Sequence, residues 1–591
     1  MRRRLARRTF AMAASSVSIA LTGSGGAGVM TSGRLLLDAA ARAGLYGLMT
    51  RSLGPQIRGG ESAALLRLGN RPIEGPDDVC DLLVAVDWGN IERFSAEIPL
   101  GEHSLIIADP AQGPVPAVIA RANPRVVSVP LKDLAESVPQ GRVNMVALGL
   151  AGTLLGLSAA GIEGVLAGLL TRKGEAVMAS ARAAVAVGVK AAASVTGAPR
   201  LDLADVPAGR VKWSISGNDA TGLGCLRGGV RFVAAYPITP ATEILEWLAV
   251  NLPRVGGALV QAEDELASIN MILGASFGGV PAMTATSGPG LALMTESLGL
   301  GVAAEVPIVV CNVMRGGPST GIPTKSEQSD LNIALYGLHG DAPHVVTAAT
   351  SIADCLFTAQ WSVGLAEALQ VPVIMLTDQA MGQARAVIDA PTDPGLTSQR
   401  LTAPAAPDAL AYQRYALTPS GVSPMAIPGT PGCAYTADGL EHSPRGTPST
   451  QAAHHQEQLD KRQRKLATHD YGSAWAEVEG EGDTVIVTWG SLTGAARDAA
   501  QRLTAAGTPT RLISLRLLAP LQTEALSALV AGKRVLVVEQ SHSGQFFGHL
   551  RAHGALPADA RSLARPGPVP LRPHEIVAAI AAWEKGAANA A

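Results

Sequence analysis

Between Val306 and Met314 the chain reads VPIVVCNVM, and it then breaks at Arg315 into RGGPSTGIPT. An extended segment that is apolar on both faces has to be covered on both faces, the condition of an interior strand in a sheet flanked by helices. The same pattern recurs along the chain. Leu82–Val86 and Ser104–Ala108 are each followed by an aspartate, Asp87 and Asp109. Val230–Ala235, Ala258–Gln261 and Val371–Thr377 follow, then Val485–Thr488, Thr510–Ser514 and Val535–Glu539. Helical stretches separate these runs, and polar residues collect just beyond their ends. In parallel α/β sheets that edge is where ligands bind. The fold class is therefore α/β, built as several domains.

With 591 residues, 65 glycines and 47% hydrophobic but only 4% aromatic side chains, the chain has the make-up of Ala/Val/Leu/Ile sheets joined by glycine turns. A first α/β domain covers 1–200, behind a basic leader at 1–16. A linker at 201–213 follows an Ala/Pro/Ser-rich shift, and a second α/β domain covers 214–391. Residues 392–480 are rich in proline, threonine, serine and charge, and read as an extended connector. A third α/β domain covers 481–591. Within the connector the KRQRK run, Lys461 to Lys465, reads as a solvated helical face.

A net charge of −2 gives no electrostatic case for nucleic acid or an anionic membrane. The five cysteines, Cys80, Cys225, Cys311, Cys355 and Cys433, lie too far apart for a zinc or iron–sulfur site and do not make a disulfide framework. This usage fits a reducing, cytoplasmic setting. Arg2, Arg3, Arg4, Arg7 and Arg8 ahead of TFAMAASSVSIAL resemble an export signal. Their apolar sequel, however, runs straight into a strand, Ser18–Leu21, so a basic leader is the expectation. The apolar stretch Val146–Ile162 is glycine-rich and short for a bilayer, and a buried helix is expected there.

Several turns carry residues that suit chemistry, each beside a structural explanation. Gly23, Gly25, Gly26 and Gly28 lie between the first strand and a helix ending near Gly44. They either open a helix N-terminus to a phosphate or allow close helix–strand packing. Arg58-Gly59-Gly60 is a second glycine turn with a cation. In Tyr236-Pro237-Ile238-Thr239-Pro240, Thr239 fits a helix N-cap and Pro240 the first helical position, which leaves Tyr236 and Pro237 unexplained. Glu263-Asp264-Glu265 either complements a helix dipole or aims one carboxylate into a cleft. Arg315, among glycines and hydroxyl residues, suits a carboxylate or phosphate; the alternative is a tight turn with a solvated or structurally paired arginine.

Taken together, YPITPATEI (Tyr236–Ile244), EDE (Glu263–Glu265), TATSGPG (Thr284–Gly290) and RGGPSTGIPT followed by KSEQSDL (Arg315–Leu331) resemble the alpha subunit of 2-oxoacid:ferredoxin oxidoreductases. The connector's GLEH and the third domain resemble this family too, and the first domain resembles its gamma subunit, fused in front. The resemblance implies a Rossmann-like gamma domain, a thiamine-diphosphate-binding domain of the pyrimidine type and a transketolase C-terminal-like domain. It also implies oxidative decarboxylation of a 2-oxoacid to acyl-CoA with electrons passed to ferredoxin, the gamma–alpha fusion pointing to 2-oxoglutarate. By position, Glu265 is the catalytic carboxylate, and Pro237, Ser287 and Gly288 join it around thiamine. Arg315, Thr239, Thr324 and Tyr236 face the substrate. The loop of Gly23, Gly25, Gly26 and Gly28, with Arg58, is the place for CoA.

The chain has no Gly-Asp-Gly with a downstream asparagine to hold Mg²⁺ on a diphosphate, and no cysteine cluster. The resemblance therefore implies a separate beta subunit carrying the Mg²⁺–diphosphate site and a 4Fe–4S cluster, in a hetero-oligomer of two alpha–beta pairs. Two positions depart from the family pattern: Ser443-Pro444 replaces an acidic pair after GLEH, and His344 replaces an arginine. A pyruvate, branched-chain or aryl-pyruvate preference and a non-catalytic scaffold or regulatory role are the competing readings.

Overall fold

The computed structural model describes residues 14–53, 60–170, 174–204, 206, 211–396, 399–407 and 411–588. Arg58 and most of the basic leader lie outside them. The chain forms two compact units, one of residues 1–215 with 384–392, the other of 216–383 with 393–591.

In the first unit the strand Ser16–Ser24 runs parallel to Leu82–Ala85 on one side and antiparallel to Glu61–Gly69 on the other. Leu105–Ala108 and Arg125–Ser128 extend the parallel side. Tyr46–Leu53 and Arg385–Asp389 extend the other side, and Lys212–Ser216 completes eight strands. The sheet is mixed because Tyr46–Leu53 and Glu61–Gly69 form an antiparallel pair. Arg51, Arg67 and Gly47 interrupt their apolar pattern, so neither strand stands out in the sequence.

The apolar stretch expected as one buried helix is two, Val143–Leu154 and Ala159–Leu170, broken where Gly156 takes φ +93°. Val143–Leu154 packs on the helix Glu175–Ala191 with almost no gap. A Cβ on Gly149 would lie 2.2 Å from the Val185 oxygen, and one on Gly188 would lie 2.0 Å from the Val146 oxygen.

The second unit holds a seven-stranded sheet in the order Leu517–Ala519, Val345–Ala348, Pro372–Asp378, Ile308–Met314, Ala282–Thr286, Phe232–Ala235, Ala258–Gln261. Six strands are parallel, and Leu517–Ala519 joins the edge antiparallel. A five-stranded sheet, Ala476–Glu479, Thr510–Leu515, Thr484–Trp489, Arg534–Glu539 and Arg561–Ala564, packs beside it. One buried cluster unites the two sheets, with Val310, Val346 and Ile374 from the first and Trp489, Ile513 and Val537 from the second. Each such side chain contributes about 1.5–3 kcal/mol on burial.

Within the second unit the connector is held by buried polar anchors. Arg400 makes a two-point pair with Glu367 and donates to the Ser276 oxygen at 2.5 Å. The KRQRK run is not a solvated face. It lies in the helix Ala452–Ala467, where i, i+4 spacing sets Lys461 and Lys465 side by side over the buried carboxylate of Glu305, at 2.5 and 3.1 Å. Burial alone would raise the Glu305 carboxyl; Lys461, Lys465 and Arg414 overrule it and hold it well below the usual carboxylate range. Arg462 pairs with Glu441 of the GLEH element at 2.7 Å.

Candidate active site

The parallel strands of the second unit end in a row, and each end carries one of the motifs. Phe232–Ala235 ends at Tyr236, which is 41% exposed. The turn after it is closed by Ala241 and Thr242 N–H groups donating to the Ile238 oxygen at 2.8 and 3.1 Å. The helix therefore starts at Thr242, with Ala241 as its N-cap. Thr239 is no cap and Pro240 no first helical residue; Thr239 is exposed, and the Pro240 oxygen accepts from Asn218 Nδ2 at 2.9 Å.

After Ala258–Gln261 the three carboxylates separate. Glu263 is exposed, and Asp264 caps the helix Glu265–Phe277, accepting from Ala267 N–H at 2.7 Å. Glu265 is buried, and its carboxylate receives no hydrogen bond from any described residue. Its Oε1 stands 2.7 Å from where a Cβ on Gly290 would be, so glycine is required there and the carboxylate lies directly over the TSGPG turn. Ser287 caps the helix Gly288–Ala303 without a side-chain bond; its hydroxyl is buried and without a partner, as is that of Thr284. A buried carboxylate and two orphaned hydroxyls around a glycine cradle fit a polar heterocycle such as the aminopyrimidine of thiamine.

After Ile308–Met314 the chain enters the Arg315 loop. Gly316 N–H donates to the Lys325 oxygen at 2.9 Å and Ile322 N–H to the Gly316 oxygen at 3.0 Å. Gly321, at φ +72°, could carry no Cβ, since that atom would sit 1.5 Å from the Gly316 oxygen. Thr324 holds φ +41°, a conformation uncommon for a non-glycine residue. Arg315 Nη1 donates to the Thr239 oxygen at 2.7 Å, while its Nε is buried without a partner. The structure thus joins Arg315 to Thr239 and Glu265 to the Ser287–Gly290 turn. Tyr236, Pro237 and Thr324 lie at the same strand-end edge.

Asp330, inside the KSEQSDL stretch, and Asn312 were given no role of their own from sequence. Asp330 is buried against Gly288 and accepts from Asn312 Nδ2 at 3.0 Å. Burial pushes its carboxyl up to about 6, against the opposing pull of Asn312 and Arg315. The available signals were the KSEQSDL stretch itself and Asn312, a lone amide inside an otherwise apolar strand. The segment after Thr324 is anchored to the last domain: Gln328 Nε2 donates to the Trp489 oxygen at 2.9 Å and Gln545 Nε2 to the Ser329 oxygen at 2.9 Å. His344 faces the Ala342 and Ala334 oxygens at 2.8 and 2.7 Å, so it has a local structural role. Pro444 accepts from Tyr415 N–H at 2.9 Å.

The first unit has its own cleft, about 790 Å³, lined in part by Gly26, Gly28, Trp88, Arg142 and Asn144. Gly28, at φ +82°, caps the helix Val29–Arg42 and lies so close to Asn144 that a Cβ would meet its amide at 2.4 Å. Gly26 faces open space at φ +98°. Ser24 and Gly89 are tied to Asp87 at 2.8 Å. Arg142, also not singled out from sequence, is exposed at the start of the helix Val143–Leu154. Gly23 and Gly25 play a different part: Gly23 packs on Val29, and Gly25 N–H donates to the Gly60 oxygen at 2.6 Å.

Parallel strands ending in a buried carboxylate, a glycine turn and an arginine loop define a thiamine-type α/β site, and comparison with known proteins agrees. Residues 223–461 match the family described as pyruvate flavodoxin/ferredoxin oxidoreductase, thiamine diphosphate binding. Residues 18–191 match pyruvate ferredoxin/flavodoxin oxidoreductase, and 473–551 the transketolase C-terminal domain. The 2-oxoglutarate synthase subunit KorA of Methanothermobacter marburgensis is 33% identical over 373 residues, covering 62% of this chain and 97% of that protein. The 2-oxoacid:ferredoxin oxidoreductase alpha subunit of Saccharolobus solfataricus is 35% identical over 368 residues, 59% of this chain. There the match spans only 58% of the relative's length, and for the Sulfurisphaera tokodaii subunit 56%. A solved 2-oxoglutarate:ferredoxin oxidoreductase from Magnetococcus marinus, with 2-oxoglutarate, coenzyme A and succinyl-CoA bound, superposes with a TM-score of 0.88 at 36% identity. It covers 96% of this chain and 99% of that one. The chain belongs to the 2-oxoacid:ferredoxin oxidoreductase family.

Proposed function

We propose that the chain is the fused gamma–alpha subunit of a CoA-acylating 2-oxoacid:ferredoxin oxidoreductase whose substrate is 2-oxoglutarate. The observation that carries this is the pairing at the strand ends: Glu265 buried over the Ser287–Gly290 turn, and Arg315 anchored on Thr239. The likeness to a solved enzyme with 2-oxoglutarate and coenzyme A bound supports the substrates.

Thiamine diphosphate, when bound, supplies a nucleophilic carbon and a sink for the electron pair released on decarboxylation. Glu265 holds a proton at the pyrimidine N1′, a task suited to a buried carboxylate with no donor of its own. Ser287, Gly288 and Pro237 line the ring. Arg315 binds the 2-oxoacid carboxylate through N–H groups not engaged by Thr239, and the Thr239 and Thr324 hydroxyls and Tyr236 border the same space. In the first unit, Arg142 and the helix start at Gly28, which no side chain caps, take a phosphate of CoA.

Mg²⁺, the diphosphate site and a 4Fe–4S cluster belong to a separate beta subunit, with ferredoxin as acceptor and two alpha–beta pairs in a cytoplasmic assembly. Sequence supports this division, since the chain has neither a Gly-Asp-Gly diphosphate motif nor a cysteine cluster. Co-expression with a beta subunit, then anaerobic assay of CoA-dependent viologen reduction, tests the reading. 2-Oxoglutarate should give the highest kcat/KM; a higher value with pyruvate or a branched-chain 2-oxoacid would overturn the substrate assignment.

A further inference from the structure

Asp330 is 8% exposed and touches both halves of the strand-end site. A Cβ on Gly288 would lie 2.6 and 2.7 Å from its two carboxylate oxygens, so the aspartate presses against the start of the helix Gly288–Ala303. On its other side Asn312 Nδ2 donates to Oδ2 at 3.0 Å, three residues before Arg315. The Asn312 amide and the helix start at Gly288 touch it, while the charges of Arg315, at the same strand end, and of Glu327, on its own segment, act on it through space. Glu327 itself accepts from Gly567 N–H at 3.1 Å. Asp330 is thus a second buried carboxylate that binds no described cation directly and is not used by the reaction described above.

We propose that Asp330 is a positioning residue for substrate binding: lodged between the Gly288 turn and the strand end that carries Asn312 and Arg315, its carboxylate sets how strongly Arg315 attracts the carboxylate of the 2-oxoacid. The proposal rests on the reading that Arg315 binds that group. An ionised Asp330 opposes the field of Arg315, and a protonated one leaves it at full strength. Linkage makes the effect reciprocal. A substrate anion that neutralises Arg315 removes the cation favouring Asp330 ionisation, so binding is accompanied by proton uptake. Burial already holds the Asp330 carboxyl near 6, inside the range where such coupling acts.

The test is the KM for 2-oxoglutarate and for CoA in the two-subunit complex, measured from about pH 5.5 to about pH 8 for wild type, Asp330→Asn and Arg315→Ala. In wild type the 2-oxoglutarate KM should rise about three- to tenfold across this range, with neither kcat nor the CoA KM following it. Asp330→Asn should hold the low-pH value throughout. A variant that tracks wild type at every pH, while Arg315→Ala raises KM, overturns the role of Asp330 alone. An unchanged KM in Arg315→Ala overturns the carboxylate reading beneath it. Should Asp330→Asn fail to fold, a wild-type 2-oxoglutarate KM that is constant with pH overturns the proposal by itself.

Discussion

Arg315 donates through Nη1 to the backbone oxygen of Thr239 at 2.7 Å, which locks the RGGPSTGIPT loop onto the YPITP turn. The two segments lie 76 residues apart, on non-adjacent strands of the sheet. Nη1 serves the scaffold and Nε is buried, which leaves Nη2 for a ligand. Arg315→Ala should raise the KM for the 2-oxoacid about a hundredfold with a smaller fall in kcat, as expected for loss of a charge-assisted contact. Arg315→Lys should recover little, because lysine offers no planar fork. Steady-state kinetics of both variants checks this.

Arg142 should matter for one substrate only. Arg142→Ala is expected to raise the CoA KM about three- to thirtyfold and leave the 2-oxoacid KM within error, since it removes a single exposed cation from the first unit's cleft. Initial rates with each substrate varied in turn will separate the two effects.

The cluster of Glu305 with Lys461 and Lys465 should be a stability element. Lys461→Met leaves a buried carboxylate short of a partner, and such a break costs about 3–5 kcal/mol. The Glu305 carboxyl is held below its unfolded value. Its contribution is therefore complete above about pH 4.5 and disappears as pH falls toward the folded value. Thermal melts of Lys461→Met at pH 7 should show a large loss of Tm. The penalty for Glu305→Gln, measured against wild type, should shrink as the pH drops below 4.5.

Asp330 works in the opposite direction. Its folded carboxyl lies near 6 against 3.8 unfolded, so stability is lost as pH rises through that window, on the order of 2–3 kcal/mol in total. Asp330→Asn should raise Tm at pH 7 and leave it nearly unchanged at pH 4.

Strands such as Ile308–Met314 and Pro372–Asp378 were legible because burial on both faces writes an unbroken apolar run. The motifs at their ends were legible because glycine, proline and charge crowd into few positions there. The hairpin at Tyr46–Leu53 was hidden, since its strands carry arginines and a glycine. KRQRK misled for another reason: charge density normally marks solvent, and only the chain fold brings Glu305 beneath Lys461 and Lys465. The start of the helix at Thr242 was misplaced because Thr-Pro matches a capping signature, whereas the turn closes on the Ile238 oxygen. Asp330 matters through Asn312 and Gly288, neighbours 18 and 42 residues away in sequence.

The most direct test compares wild type and Glu265→Gln in the complex with its beta subunit, assayed anaerobically for viologen reduction dependent on 2-oxoglutarate and CoA, with bound thiamine diphosphate quantified in both. Wild type should turn over, and Glu265→Gln should retain assembly and cofactor while losing at least about a hundredfold in kcat. A Gln variant that keeps wild-type kcat, or a wild-type complex loaded with thiamine and cluster that is silent toward every 2-oxoacid, would contradict the account.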